Sequence, residues 1–153
     1  MRIYQGYTLL ELLVTLAIAA VLMAFVVPGF RGLIERSNVA ATSNDMLGAL
    51  LYARSEAVRI ERDVTFTPEA NGWVVTTEDG IDIVDQTVDN ENVTLTENID
   101  NANSDVTYNP RGRADITEGN NIEISFDDTV MNRICLSRIG RPYIKPVAEG
   151  NCP

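Results

Sequence analysis

The chain has 153 residues, 45% of them hydrophobic, with 22 acidic against 12 basic side chains and a formal net charge of −10. That length holds one domain plus an anchor. With no histidine and only two cysteines, a His-activated nucleophile is excluded and a zinc site is short of ligands. The charge is unevenly placed. Asp63 to Asp128 carries 16 acids against Arg111 and Arg113, whereas Thr129 to Pro153 carries Arg133, Arg138, Arg141 and Lys145 against Glu149. The middle repels polyanions and the end attracts them, unless both are simply solvated faces.

Residues 1–6 form a short leader with one basic side chain, Arg2. From Leu9 to Val27 the chain is apolar apart from Glu11 and Thr15. A bilayer span needs roughly 20 such residues. A lone carboxylate within one costs about 2.5–3.5 kcal/mol at the helix centre on insertion scales. A charge kept at that cost needs a partner, and cutting the chain before Tyr7 creates one, a new amino group. A secretory signal would instead have a shorter apolar core and a small-residue cut site after it. The stretch Met23–Pro28 offers none.

Gly6-Tyr7-Thr8-Leu9-Leu10-Glu11, followed at once by an apolar helix, resembles the cleavage motif of type IV prepilins and pseudopilins. The resemblance implies removal of residues 1–6 by a prepilin peptidase and N-methylation at Tyr7. It also implies that Glu11, fifth in the mature chain, pairs with a neighbouring subunit's N-terminus. Tyr7 stands where Phe or Met is commoner, and the leader is less basic than most.

Pro28 and Gly29 interrupt the apolar run. A proline removes one helical hydrogen bond and crowds the carbonyl four residues back, so a kink is expected there. Pilins commonly carry a proline at this distance from the cut, which implies a flexible point. Helical spacing then resumes, with an apolar stripe of Leu33, Ala40, Leu47, Leu50, Ala57 and Val58 flanked by Met46 and Leu51. Glu56 and Arg59 fall outside the stripe, three apart, as a helix-supporting pair. A helix from about Thr8 to Glu61 would be about 80 Å long at 1.5 Å per residue. No small domain buries that length, so its first half belongs in a membrane or a fibre core.

From Arg62 the pattern changes to short β-branched and aromatic runs. Strands are predicted at 64–66, 73–76, 81–84, 93–95, 106–108, 122–126 and 134–136. Asn71-Gly72 and Asp79-Gly80 read as turns. Asp85 to Ser104, acidic and Asn-rich, reads as long surface turns or a mobile loop. Cys135 and Cys152 form one disulfide if the membrane segment carries them outward to an oxidising compartment. That bridge closes a loop of about 15 residues and contributes roughly 3 kcal/mol in the chain-entropy model.

Tyr52–Arg59, Asn71–Val75, Asn109–Arg113 and Cys135–Arg141 resemble segments of GspH pseudopilins and FimT/FimU-type minor pilins. The implied fold is α+β: a long N-terminal helix, kinked near Pro28, packed on a C-terminal antiparallel β-sheet domain. The division is a leader at 1–6, a helix at 7–62 (7–27 in the membrane or filament core, 28–62 amphipathic) and a β-rich pilin domain at 63–153.

No catalytic residues, metal site or cofactor are expected. Asp79 to Asp85 lacks the spacing and final Glu of an EF-hand loop. Arg138, Arg141 and Lys145 flank a Gly-Arg-Pro turn, and Tyr143 offers a stacking face for a base. FimT-type proteins take up DNA through a Gly-Arg-x-Arg stretch. Gly140, Arg141 and Pro142 match it here, with Tyr143 where the second Arg would stand. The alternative is that these cations pair with acidic strands or a neighbouring subunit. The expected role is a structural minor pilin, priming assembly or sitting at the tip. The alternatives are a DNA-uptake subunit and a GspH-like pseudopilin of type II secretion. Partners would be other major and minor pilins or pseudopilins, the prepilin peptidase and the bacterial inner membrane, with DNA under the uptake reading. The precursor would sit in that membrane with its C-terminal domain periplasmic, and then enter the filament.

Overall fold

A computed structural model describes residues 7–101, 103–117, 119–137 and 139–153, with the backbone alone for residues 25–29. Contacts divide the chain into two units, Met1–Arg36 and Ser37–Pro153. One helix, α1, covers Leu9–Ile60. It begins with a cap that the sequence spells out. Thr8 Oγ1 accepts the amide hydrogen of Glu11 at 3.2 Å, and the Thr8 carbonyl accepts that of Leu12 at 3.2 Å. Thr8 with Glu11 three residues on is the pattern of a capping box. The backbone is helical through Pro28 and Gly29, within the one long helix expected. Arg59 lies in the last turn, and the chain leaves the helix through Glu61 at φ 56°, a left-handed position usually given to glycine.

In the first unit, the large apolar side chains from Leu9 to Met23 are between 51% and 78% exposed. They lie on every face of the helix, the all-round apolar pattern of a helix that is buried or spans a membrane. Among the described residues no helix is long and apolar enough to cross a membrane.

In the second unit, α1 buries Val39, Ser43, Met46, Leu50, Ala53 and Ala57 in steps of four and three. This corrects the predicted stripe. Leu50 and Ala57 belong to it, but Ala40 and Val58 are exposed and Leu47 is half-buried. The true face alternates large side chains, Val39, Met46 and Leu50, with small ones, Ser43, Ala53 and Ala57, that let the sheets approach closely, and the serine's polarity hid it. Ser43 Oγ donates to the Val39 carbonyl at 2.6 Å and accepts from Asn132 Nδ2 at 3.0 Å. Glu56 also lies on the buried side, not outside it, at 8% exposure.

Among the described residues eight strands follow: β1 Val64–Glu69, β2 Gly72–Thr77, β3 Asp82–Thr87, β4 Val93–Asn98, β5 Val106–Tyr108, β6 Asn121–Phe126, β7 Thr129–Leu136 and β8 Pro142–Pro146. They form two four-stranded antiparallel sheets, ordered β3-β2-β1-β5 and β4-β6-β7-β8. Alternation puts Val64, Phe66, Val75, Val93, Leu95, Val106, Ile122, Ile124 and Ile134 inward, where with the helix face they form one core. Phe66 and Trp73 stack with ring centroids 6.5 Å apart.

Three strand expectations change. The strand expected at 93–95 runs on to Asn98 through the acidic segment, with Val93 and Leu95 buried. Strand β8 lies between two prolines, a position open to it because it is a sheet edge. Gly72 is not a turn residue. It sits in β2, where a Cβ would lie 2.1 Å from the Gln86 carbonyl oxygen of β3.

The Arg59 guanidinium hydrogen-bonds both carboxylate oxygens of Glu56, one at 2.7 Å. That hydrogen bond holds the Glu56 carboxyl below its ordinary value of 4.5, against a smaller opposing effect of burial. A lowered folded value means the unfolded chain takes up the proton first as pH falls. The pair's stabilisation is therefore complete above pH 4.5 and drains away as pH falls from there through the lowered folded value. Urea midpoints measured across that window should fall less steeply for Glu56→Gln than for the parent. Equal slopes would remove Glu56 from the acid response.

Candidate functional site

Two regions carry the sequence-predicted residues. The first is the start of α1. Tyr7, Glu11, Leu12 and Thr15 line a shallow hollow of about 190 Å³, so the expected cut point and the acid share one local surface. Tyr7 is 87% exposed. Gly6 lies outside the described residues, as does the side chain of Pro28.

The second region is the end of the β domain. Cys135 and Cys152 form a disulfide across 17 residues, with Cα atoms 5.6 Å apart. Register explains the surroundings. Cys135 pairs with Tyr143, and Arg133 pairs with Lys145 and Glu123, all on the face of the second sheet that points away from the core. The last residues fold back over this face after a 3-10 turn at Val147–Glu149. Arg133 donates to the Gly150 carbonyl at 3.3 Å, Lys145 to the Asn151 carbonyl at 2.7 Å, and the Gly119 amide to the Pro153 carbonyl at 3.1 Å. Arg133 also donates to Glu123 at 2.8 Å. Cys135 is fully buried beneath this strap.

The expected basic cluster is thereby divided. Lys145 fastens the strap at the far end of β8, about 13 Å along the strand from Arg141 at 3.3 Å per residue. Tyr143 is half-buried on the strap face. Arg141 is exposed at the opposite end, and Arg138 lies outside the described residues.

Arg141 has different neighbours, which the sequence did not place beside it. The loops Asn109–Arg113 and Ser137–Arg141 are built alike. Asn109 Oδ1 accepts the amides of Arg111 at 3.0 Å and Arg113 at 3.1 Å, and Ser137 Oγ accepts that of Arg141 at 3.0 Å. Each loop is then closed by the amide of a left-handed glycine, Gly112 or Gly140, bonding the first residue's carbonyl at 2.8 Å. The loops touch at Gly140, where a Cβ would lie 2.6 Å from the Ala114 nitrogen and 3.1 Å from the Gly112 oxygen. Arg54 of α1 ties both down, its Nε donating to the Gly112 carbonyl at 2.8 Å and a terminal nitrogen to the Ile139 carbonyl at 3.4 Å. Tyr108 lies fully buried beneath them, and burial pushes its phenol well above the ordinary range. An arginine aligned with two distant carbonyls leaves no periodic trace. The hint in the sequence was that both loops contain a Gly-Arg pair, Gly112-Arg113 and Gly140-Arg141.

A capped N-terminal helix, and a later helix face packed on two antiparallel sheets, are the parts of a pilin-type fold. Residues 42–140 match the family model described as Type II transport protein GspH, and residues 1–27 match the prokaryotic N-terminal methylation motif. The chain belongs to the GspH family. Its fold is similar to that of the type IV minor pilin FimU of Pseudomonas aeruginosa in two crystal forms. One is 19% identical with a TM-score of 0.59, covering 78% of this chain and 95% of that one. The other is 18% identical with a TM-score of 0.51, covering 74% and 96%. No characterised sequence matches significantly.

Proposed function

We propose that the chain is made as a membrane-inserted precursor, cut before Tyr7 and methylated there, and built into a type IV pilus as a minor subunit. Its work is structural, priming assembly or sitting at the tip. The observation that carries this is the first half of α1. Apolar side chains on all faces, with one carboxylate at the start, suit a helix that moves from lipid into a bundle of identical or related helices. In lipid or fibre core, Glu11 gains from an ammonium on a neighbour and sets axial register.

Glu11→Ala should be cut normally yet appear in sheared filaments at roughly a tenth of the parent level or less, the size expected for a buried ion pair broken on one side. Incorporation at the parent level would take Glu11 out of assembly.

The family model's description supports a second reading, a pseudopilin of type II secretion. Deleting the gene separates the two. Loss of surface pili with secretion intact supports the pilus, and the reverse supports the secretion system.

A further inference from the structure

Trp73 is the one tryptophan of the chain, and it is 3% exposed. Its indole nitrogen has no hydrogen-bond partner among the described residues. A buried donor left without an acceptor costs about 1–3 kcal/mol. Trp73 stands on β2, and the trough above it runs between α1 and the edge strand β3. Two hollows of about 200 and 330 Å³ lie along that trough. Trp73, Asp45 and Gln86 line both, so the hollows abut. The first adds Asn38, Thr42, Asp89 and Asn90, and the second Asn44 and Tyr52. The Tyr52 side chain is 43% exposed. No lysine or arginine lines either hollow, and among the described residues neither Asp45 nor Asp89 is in a salt bridge. Every one of these residues belongs to the second unit.

We infer that this trough binds a neutral oligosaccharide, with one sugar ring in each hollow. Side-chain amides and hydroxyls give and take hydrogen bonds and carboxylates take them, which suits a ligand made of hydroxyls. Tyr52 offers a ring face for the apolar side of a sugar. The two hollows together fall within the roughly 300–1,000 Å³ of small-molecule sites. The indole chooses between ligand classes. It only donates, so its partner must accept. An ammonium or guanidinium group would suit Asp45 and Asp89 but has no acceptor for Trp73. A phosphate or carboxylate accepts, but it meets Asp45 and Asp89 with no cation to offset them. A hydroxyl accepts from the indole and donates to a carboxylate at once. The indole nitrogen is closed off in this structure. Gln86, exposed and paired with Trp73 across β2 and β3, is held by one hydrogen bond, from its Nε2 to the Thr87 carbonyl at 3.0 Å. Turning that side chain aside opens the way to Trp73 without moving the core.

The test uses the full chain in micelles of a sugar-free zwitterionic detergent. It is passed over an array of neutral oligosaccharides, and a glycan that is retained is then titrated into isotope-labelled protein while the indole N–H resonance is followed. One tryptophan gives one such signal. That signal should shift and saturate with the titration. Asp45→Ala should weaken binding roughly tenfold, through the loss of a hydrogen bond to a charged group. Tyr52→Ala should weaken it roughly fivefold, through the loss of the ring face. Both positions are exposed, so neither change disturbs the core. No glycan retained, an indole signal that stays put at saturation, or parent-level binding by Asp45→Ala overturns the inference. So does a shift produced by a lysine-rich peptide and by no glycan, which would give the trough to a basic protein segment. None of these outcomes depends on pilus assembly, so failure here leaves the minor-pilin reading standing.

Discussion

Cys135→Ser should lower the stability of the β domain by about 3 kcal/mol and release the last seven residues to protease. The bridge spans 17 residues, and closing a loop of that order removes about 3 kcal/mol of chain entropy from the unfolded state. The strap offers little to replace it. Among the described residues three hydrogen bonds hold it, from Arg133, Lys145 and the Gly119 amide, and Ala148 to Asn151 are exposed. Such bonds contribute about 1 kcal/mol each at best and compete with water. Loss of the bridge also exposes the outer face beneath, where Arg133 and Lys145 lose the carbonyls they now hold. The measurement is a urea titration of parent and variant beside a timed digest read by mass. A variant that keeps both its midpoint and its resistant C-terminus would show that the hydrogen bonds alone secure the strap. Two free thiols in exported protein would remove the bridge altogether.

Gly140→Ala should cost roughly 3 kcal/mol, from a left-handed backbone that penalises a side chain by about 1–2 kcal/mol and from overpacking of similar size. At φ 75° the new methyl lies 2.6 Å from the Ala114 nitrogen, and backbone cannot swing aside as a flexible side chain does. Gly119→Ala is the control. It too is left-handed, at φ 89°, but nothing lies within 4 Å of its Cβ position. Thermal midpoints of the two variants separate the steric cost from the conformational one. Equal losses would mean that the loops part freely and that Arg54, not their contact, sets their spacing.

Much of the fold was legible. The switch from helical spacing to β-branched runs near Arg62 marks the passage from α1 to β1, because the two periods place side chains incompatibly. The helix face was less legible. Leucines at 47 and 51 drew the stripe sideways, whereas packing chose Ser43, Ala53 and Ala57 for closeness over apolar bulk. Gly72 looked like half of an Asn-Gly turn, and only the approach of β3 shows why a side chain fails there. The candidate site was legible where it is local. Thr8 and Glu11 are three residues apart and act on one turn. Arg111 and Arg141 are thirty apart. Their loops touch at Gly140 and are tied by Arg54, a contact whose geometry no spacing encodes.

The Thr8 cap has a consequence for maturation. Both of its members lie downstream of the proposed cut before Tyr7, so removal of residues 1–6 would leave the Thr8 hydrogen bonds in place. What changes is charge. The new ammonium would sit one residue before the cap, at the end of a helix whose aligned peptide dipoles already present partial positive charge. A cation there is repelled by its own backbone, and the nearest relief in its own chain is Glu11, on the first turn. One carboxylate then answers two claims, its own helix end and a neighbour's amine. Under the proposed function, a subunit whose first turn is well neutralised from within would have less to gain from the next, so the local electrostatics of a single turn would help rank partners before any β domain touches another.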